Sequence, residues 1–336
     1  MQKKQKIFYL DFIRVVSMLI IVTYHFYAHF AENNISGVRI PLSDGKWGVI
    51  GVALFFVISG ASLMYNYGEK IDIKKYFIKR FFGIYPMFWL AYSILFIYLF
   101  YQVKGVPTAV PVYKLLFSVV GMDGYLNCYT ETIYLLGEWF LGCIILIYLL
   151  FPLLRLVVNK YPKTTLVVAT VLNFIVSLFH KNGIMSIDKN LILSVYSFLL
   201  GMYVINIKRI QWWQAIVGVL LAMLLYKLPT ANINIQVLYA RLAAYLLFIF
   251  FVYVGQKINN NMLQMLFEII SKYSYAIFLV HHFLIMKVLN TFQGATFGIA
   301  GTILLYLTCW GYIIVFAKLL YELNKAILKL LKAEKK

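Results

Sequence analysis

Acidic residues are scarce in this chain: 12 Asp and Glu stand against 31 Lys and Arg, and all charged types together make up only 13% of its 336 residues. A soluble domain carries about a quarter charged residues, so the polar surface needed to solubilise a chain of this size is missing. Cysteine is scarcer still. Cys128, Cys143 and Cys309 form no CxxC pair, and two of them lie in apolar runs. This excludes a disulfide framework and a cysteine-built zinc site, and leaves them as packing residues. The sequence has no internal repeat, no low-complexity tract apart from the basic ending "LKLLKAEKK", and no polar stretch long enough for a soluble domain. The first apolar run lacks an A-x-A cleavage site, exceeds a signal-peptide core in length and carries Asp11, Arg14 and His25. It is therefore expected to be retained as a first helix.

What the chain has in abundance is apolar surface. It is 63% hydrophobic, with a mean hydropathy of +0.82, which predicts an all-α polytopic membrane protein. Windows of about 20 residues give roughly ten spans, at 7–30, 47–67, 84–103, 133–157, 165–179, 191–207, 212–226, 237–255, 274–289 and 297–320. The fifth and seventh are short for a crossing, and 112–121 suits a re-entrant or surface segment better. A single integral-membrane domain over 1–336 is expected.

The net charge of +19 does not indicate a nucleic-acid partner, because the basic residues fall in short clusters between apolar runs. With the N-terminus inside, roughly 21 Lys and Arg fall on the cytoplasmic side against 9 on the other. That places both termini in the cytoplasm of a protein that crosses the cell membrane many times. The basic tail anchors the last helix to anionic lipid. The longest outward piece, 104–132, holds Pro107, Pro111, Asp123 and Glu131. Tyr113, Tyr125, Tyr129 and Tyr134, in and just after it, can stack on sugar rings or anchor at the interface.

Ionisable residues within membrane spans are costly and mark functional candidates. Here they are Asp11, Arg14, His25, His29, Glu138, Arg241, Glu268, His281 and His282, of which Arg241 and Glu268 need no special role at an interface. Arg14 and His25 are eleven residues apart, close to three helical turns, and form one stripe about 16 Å long with Met18 and Ile21 between them. Asp11, one turn before Arg14, can pair with it. The stripe reads equally well as an anion-binding guanidinium below a titratable imidazole, or as an anchoring ion pair below a histidine bonded to a neighbouring helix. His25 and His29 have the i, i+4 spacing of metal ligands, but with no HExxH glutamate and no third ligand apparent, no metal site is expected. His281 and His282 point different ways on one helix, so at most one is expected to face a site. The small residues Gly48, Gly51, Ser59, Gly60 and Ser62 in "GKWGVIGVALFFVISGASL" let helix backbones approach closely, or leave room for a substrate.

These residues carry a resemblance to the membrane-bound acyltransferase 3 family. "LDFIRVVSMLIIVTYHF" is similar to its first-helix signature, with Asp11, Arg14 and His25 at the matching positions. "GVIGVALFFVISGASL" resembles its second-helix motif, and "KRFFGIYPMF" resembles its basic inner-loop motif through Lys79, Arg80, Tyr85 and Pro86. "WFLGCIILIYLLFPLL" matches through Trp139, Tyr148 and Pro152, and "ISKYSYAIFLVHH" through Ser274, Tyr275 and His281. Two positions depart from the family: Gly83 replaces a second arginine, and Ile144 stands where many members carry a glutamate, whereas this chain has Glu138 just before Trp139.

The resemblance implies an acyl-CoA donor, most simply acetyl-CoA, entering from the cytoplasm. It further implies an acceptor hydroxyl on an extracytoplasmic cell-surface or exopolysaccharide glycan, as in the compact polysaccharide O-acyltransferases. In that scheme Arg14, Lys79 and Arg80 hold donor phosphates, Asp11 fixes Arg14, and His25 takes the acceptor proton or carries the acyl group. Glu138 orients the acceptor or His25, while Tyr85, Trp139, Ser274, Tyr275 and His281 line the site. No bound cofactor is implied, and a homo-oligomer is compatible with the sequence. A glycan or lipid transporter without acyl transfer is the alternative, although paired broken helices and an inverted repeat are missing; an inactive scaffold is a third.

Overall fold

Apolar runs of membrane-spanning length satisfy their backbone groups internally as helices, and the computed structural model is built of them. It describes residues 6–40, 42–106, 110–136, 138–205, 207 and 209–333, the side chains of 332 and 333 excepted. Lys3, Lys4, Pro107, Lys208, Lys335 and Lys336, part of the charge ledger and outer loop, lie outside the described residues. Among the described residues twelve α-helices follow in order: α1 Phe8–Glu32, α2 Gly45–Tyr67, α3 Ile73–Gln102, α4 Leu115–Val119, α5 Asp123–Leu126, α6 Trp139–Lys160, α7 Pro162–Phe179, α8 Leu191–Val204, α9 Trp212–Lys227, α10 Ile233–Lys257, α11 Asn261–Asn290 and α12 Ile299–Ala333. Among the described residues there is no strand, only an isolated bridge between Ser36 and Thr296.

Each of the ten expected spans has its helix, and eight of these are long and apolar enough to cross a membrane. The expectation about length needs one correction: the fifth span, α7, reaches 18 residues by starting at Pro162, whereas the sixth, α8, has only 14 and α9 has 16. The fourth helix begins at Trp139, not at 133. Residues 133–136 are apolar but non-helical, and here the Tyr134 hydroxyl donates to the carbonyl of Gly105 at 2.7 Å. Over 112–121 the chain forms a 3₁₀ turn, Val112–Lys114, and then α4.

The chain forms two compact units. The first comprises Met1–Ile21, Asp44–Ile73 and Leu146–Lys272. In it, Gly60 of α2 and Gly201 of α8 face each other's backbone: a methyl group at Gly60 would overlap the Phe198 carbonyl, and one at Gly201 the Val57 carbonyl. This reciprocal contact accounts for small residues on a greasy helix, since only their absence of side chain lets the two backbones touch. Around it Ile13, Leu54, Val57, Ala240, Ala244 and Phe248 form a buried core. Two arginines tie helix ends to this frame. Arg155 donates to the carbonyls of Tyr67 and Glu69, both at 2.6 Å, which places a cation at the negative end of α2. Arg241, buried on α10, donates to Leu193 O, Ser197 Oγ and Asp188 O at 2.9, 3.1 and 2.8 Å.

The second unit comprises Val22–Ser43, Lys74–Ile145 and Tyr273–Lys336. Its outer segment is held to α3 by specific donors. Tyr85 OH donates to Val120 O at 3.1 Å, and Trp89 Nε1 to Val119 O at 2.8 Å. Tyr134, 7% exposed, packs with Val110 and Ile133 against Tyr92 and Phe96, so its ring is a structural anchor and is not open to a sugar. Thr23 of α1 shares a hydrogen bond with Tyr306 of α12 at 2.7 Å, and Phe26 packs edge-on to the same ring at 5.2 Å.

Candidate active site

Four imidazoles gather in the second unit with two carboxylates, Glu138 and, beside His29, Glu32. His25 and His29 lie one turn apart on α1, His281 and His282 are adjacent on α11, and Glu138 is the residue on which α6 starts, its carbonyl accepting from Leu141 N at 2.9 Å. A carboxylate at that end of a helix is favoured by the helix dipole. Ring centroids of His25 and His281 are 5.1 Å apart, those of His25 and His282 4.8 Å, and those of His29 and His282 4.6 Å. The expectation that only one of His281 and His282 faces a site is thus corrected. Adjacent helical positions differ by about 100°, and the broad His25 ring meets both sides of that angle.

Each imidazole other than His25 has its Nδ1 beside an acceptor. His282 Nδ1 lies 2.8 Å from Glu138 Oε1, and His29 Nδ1 lies 2.6 Å from Glu32 Oε2. His281 Nδ1 is 2.8 Å from Phe278 O and 3.2 Å from Ile277 O. A carbonyl only accepts, so the proton of His281 sits on Nδ1 and its Nε2 presents a lone pair. The Nε2 atoms of His29 and His281 are buried with no hydrogen-bond partner among the described residues. Two sets place one donor atom from each member within 4.8 Å of the others: His25, His29 and His282, and His25, Glu138 and His281. His282, His29 and Glu32 are the members of this cluster to which sequence reasoning gave no role; the His281–His282 dipeptide and the His25–His29 spacing were the available signals.

In the first unit, Asp11 is the hub of a second polar group. Its Oδ1 accepts from Arg14 Nη1 at 2.8 Å and from Ser271 Oγ at 2.6 Å, and its Oδ2 forms an ion pair with Lys6 Nζ at 2.8 Å. Arg14 Nη1 also donates to Ser271 Oγ at 2.9 Å. These bonds hold the guanidinium by one nitrogen, and 28% of the Arg14 side chain is exposed. Lys6 also pairs with Glu268 at 3.1 Å, which gives that glutamate a local role.

The other site residues expected from sequence are spread along the second unit. Lys79 is exposed, and Arg80 is half-buried with its guanidinium 5.9 Å from the Tyr76 ring. Tyr85 is spent on holding Val120, as above. Trp139 opens α6, and Ser274 is buried on α11. Tyr275 OH donates to Ile84 O at 3.1 Å and stacks on Phe278, which links it through one residue to the His281 backbone contact.

Long apolar helices around a histidine and carboxylate cluster define a multi-pass membrane protein with groups suited to proton transfer. The chain belongs to the acyltransferase 3 family, whose acyltransferase-domain model matches residues 7–321. It is accordingly a membrane acyltransferase. No curated protein and no solved structure matches it significantly.

Proposed function

We propose that the protein transfers an acyl group, most simply acetyl, from a cytoplasmic acyl-CoA to a hydroxyl of an extracytoplasmic cell-surface or exopolysaccharide glycan, with His25 as general base. The observation that carries this reading is the His25 ring lodged among His281, His282 and Glu138. A free imidazole nitrogen there removes the proton as the hydroxyl oxygen attacks the thioester carbonyl. The tetrahedral intermediate then expels the CoA thiolate, and the imidazolium returns the proton to sulfur. Glu138 acts through His282, whose Nδ1 lies 2.8 Å from its carboxylate and whose ring packs beside His25.

The donor phosphates suit Arg14, whose guanidinium is braced by Asp11 and Ser271 yet partly exposed. Lys79 and Arg80, near the start of α3, are separate candidates for donor phosphates. Along α1, about 16 Å separates Arg14 from His25, the order of length of an extended pantetheine arm. Purified protein in lipid vesicles, given labelled acetyl-CoA and a panel of cell-surface glycans, tests the reading. Label appearing on a glycan supports it, and glycan or lipid translocation without transfer contradicts it.

A further inference from the structure

We propose that His25, His29 and His282 form a binding site for a divalent transition metal of the zinc class, and that occupancy of this site switches acyl transfer off. The second clause rests on His25 being the general base; the first stands on geometry alone.

One ring nitrogen from each of the three lies within 4.8 Å of the others. In a tetrahedral zinc site with Zn–N bonds of 2.0–2.1 Å, ligand nitrogens are about 3.3 Å apart, a contraction that rotation of side chains on two helices can supply. Imidazole donors select zinc, copper or nickel over magnesium or calcium.

The surroundings are those of ligating histidines. A metal-bound imidazole usually gives its other N–H to a carboxylate or carbonyl, which sets the tautomer and raises its basicity. Here Glu32 stands 2.6 Å from His29 Nδ1 and Glu138 2.8 Å from His282 Nδ1. In the neutral tautomer with Nδ1–H toward its carboxylate, each ring presents an Nε2 lone pair. His29 is only 5% exposed, and its Nε2 is buried without a hydrogen-bond partner among the described residues. A buried lone pair left unmatched is costly, and a metal cation satisfies it. The His282 side chain, 41% exposed, gives an entry path. Three protein ligands leave a fourth position for water.

Local sequence offered two ligands at i, i+4 and no third; the third comes from α11. Ligation uses the same kind of nitrogen lone pair that a general base needs, so a bound metal withdraws His25 from proton transfer.

The test titrates the purified full chain in detergent with Co²⁺ as spectroscopic probe, followed by Zn²⁺ displacement. Expected are ligand-field bands of four-coordinate Co²⁺ saturating at one ion per chain and lost on Zn²⁺ addition. His29→Ala should lose those bands, and Glu32→Gln should weaken binding by about 10–100-fold. His180→Ala, a histidine of the first unit, should bind as wild type does; elution as a single species checks that each variant is folded. Wild-type spectra of the hexaaquo ion only, or bands undiminished in folded His29→Ala, overturn the proposal. Zn²⁺ should also inhibit wild-type transfer, and inhibition unchanged in His29→Ala overturns the switch. If no transfer occurs at all, the acyltransferase reading fails while the Co²⁺ measurement still decides the site.

Discussion

Glu138 Oε1 lies 2.8 Å from His282 Nδ1, and the His282 ring packs 4.8 Å from that of His25. The carboxylate therefore reaches the proposed base through a second imidazole. Glu138→Gln keeps the shape of the side chain while removing the charge that orients His282. It should lower kcat by about 10-fold or more and leave the KM for acyl-CoA nearly unchanged, since a positioning group acts on the chemical step. Steady-state kinetics in vesicles check this, and a variant changed only in KM contradicts it.

Arg14→Ala should act in the opposite sense. Loss of a phosphate-binding guanidinium should raise the KM for the donor at least 10-fold with a smaller effect on kcat. Asp11→Asn, which frees Arg14 from its brace, should show a weaker form of the same defect. Binding of acyl-CoA to the purified variants measures the effect directly, and affinity equal to wild type in Arg14→Ala counts against the phosphate role.

Gly60 and Gly201 predict a purely structural defect. A methyl group at either position would overlap a backbone carbonyl of the opposite helix, so Gly60→Ala should cost about 1–3 kcal/mol. Gly60→Leu should prevent α2 and α8 from packing. The loss should appear as a lowered melting temperature in detergent, and Gly83→Ala, where an added methyl meets no neighbour, should melt as wild type does.

Tyr134→Phe removes the hydroxyl bonded to Gly105 O but keeps the ring packed on Phe96. It should cost about 0.5–1.5 kcal/mol of stability and leave transfer to any glycan acceptor unaltered. A glycan-specific loss would return Tyr134 to the role of a sugar platform.

The course of the fold was readable because membrane helices announce themselves by unbroken apolar length, and each expected span has its helix. Boundaries were less readable for identifiable reasons. The helix α3 begins at Ile73 and α11 at Asn261, in stretches where Lys74, Lys75, Lys79, Arg80, Asn261 and Glu268 hide helical continuity from a hydropathy window. Residues 133–136 show the reverse, being apolar yet drawn out of helix where Tyr134 reaches Gly105. The site divides the same way. Asp11 and Arg14, one turn apart, were legible as a pair. The contacts of His25 with His282, and of His282 with Glu138, join segments remote in sequence, and no periodicity within one helix reports such contacts.

The central claim is that an imidazole at position 25 performs the proton transfer. The direct measurement is label transfer from acetyl-CoA to glycan by wild type and His25→Ala in lipid vesicles, with folded protein quantified in both. Transfer falling by about 10²–10⁴-fold at equal folded protein and unchanged acyl-CoA binding is the predicted result. Transfer undiminished in the folded variant contradicts the account.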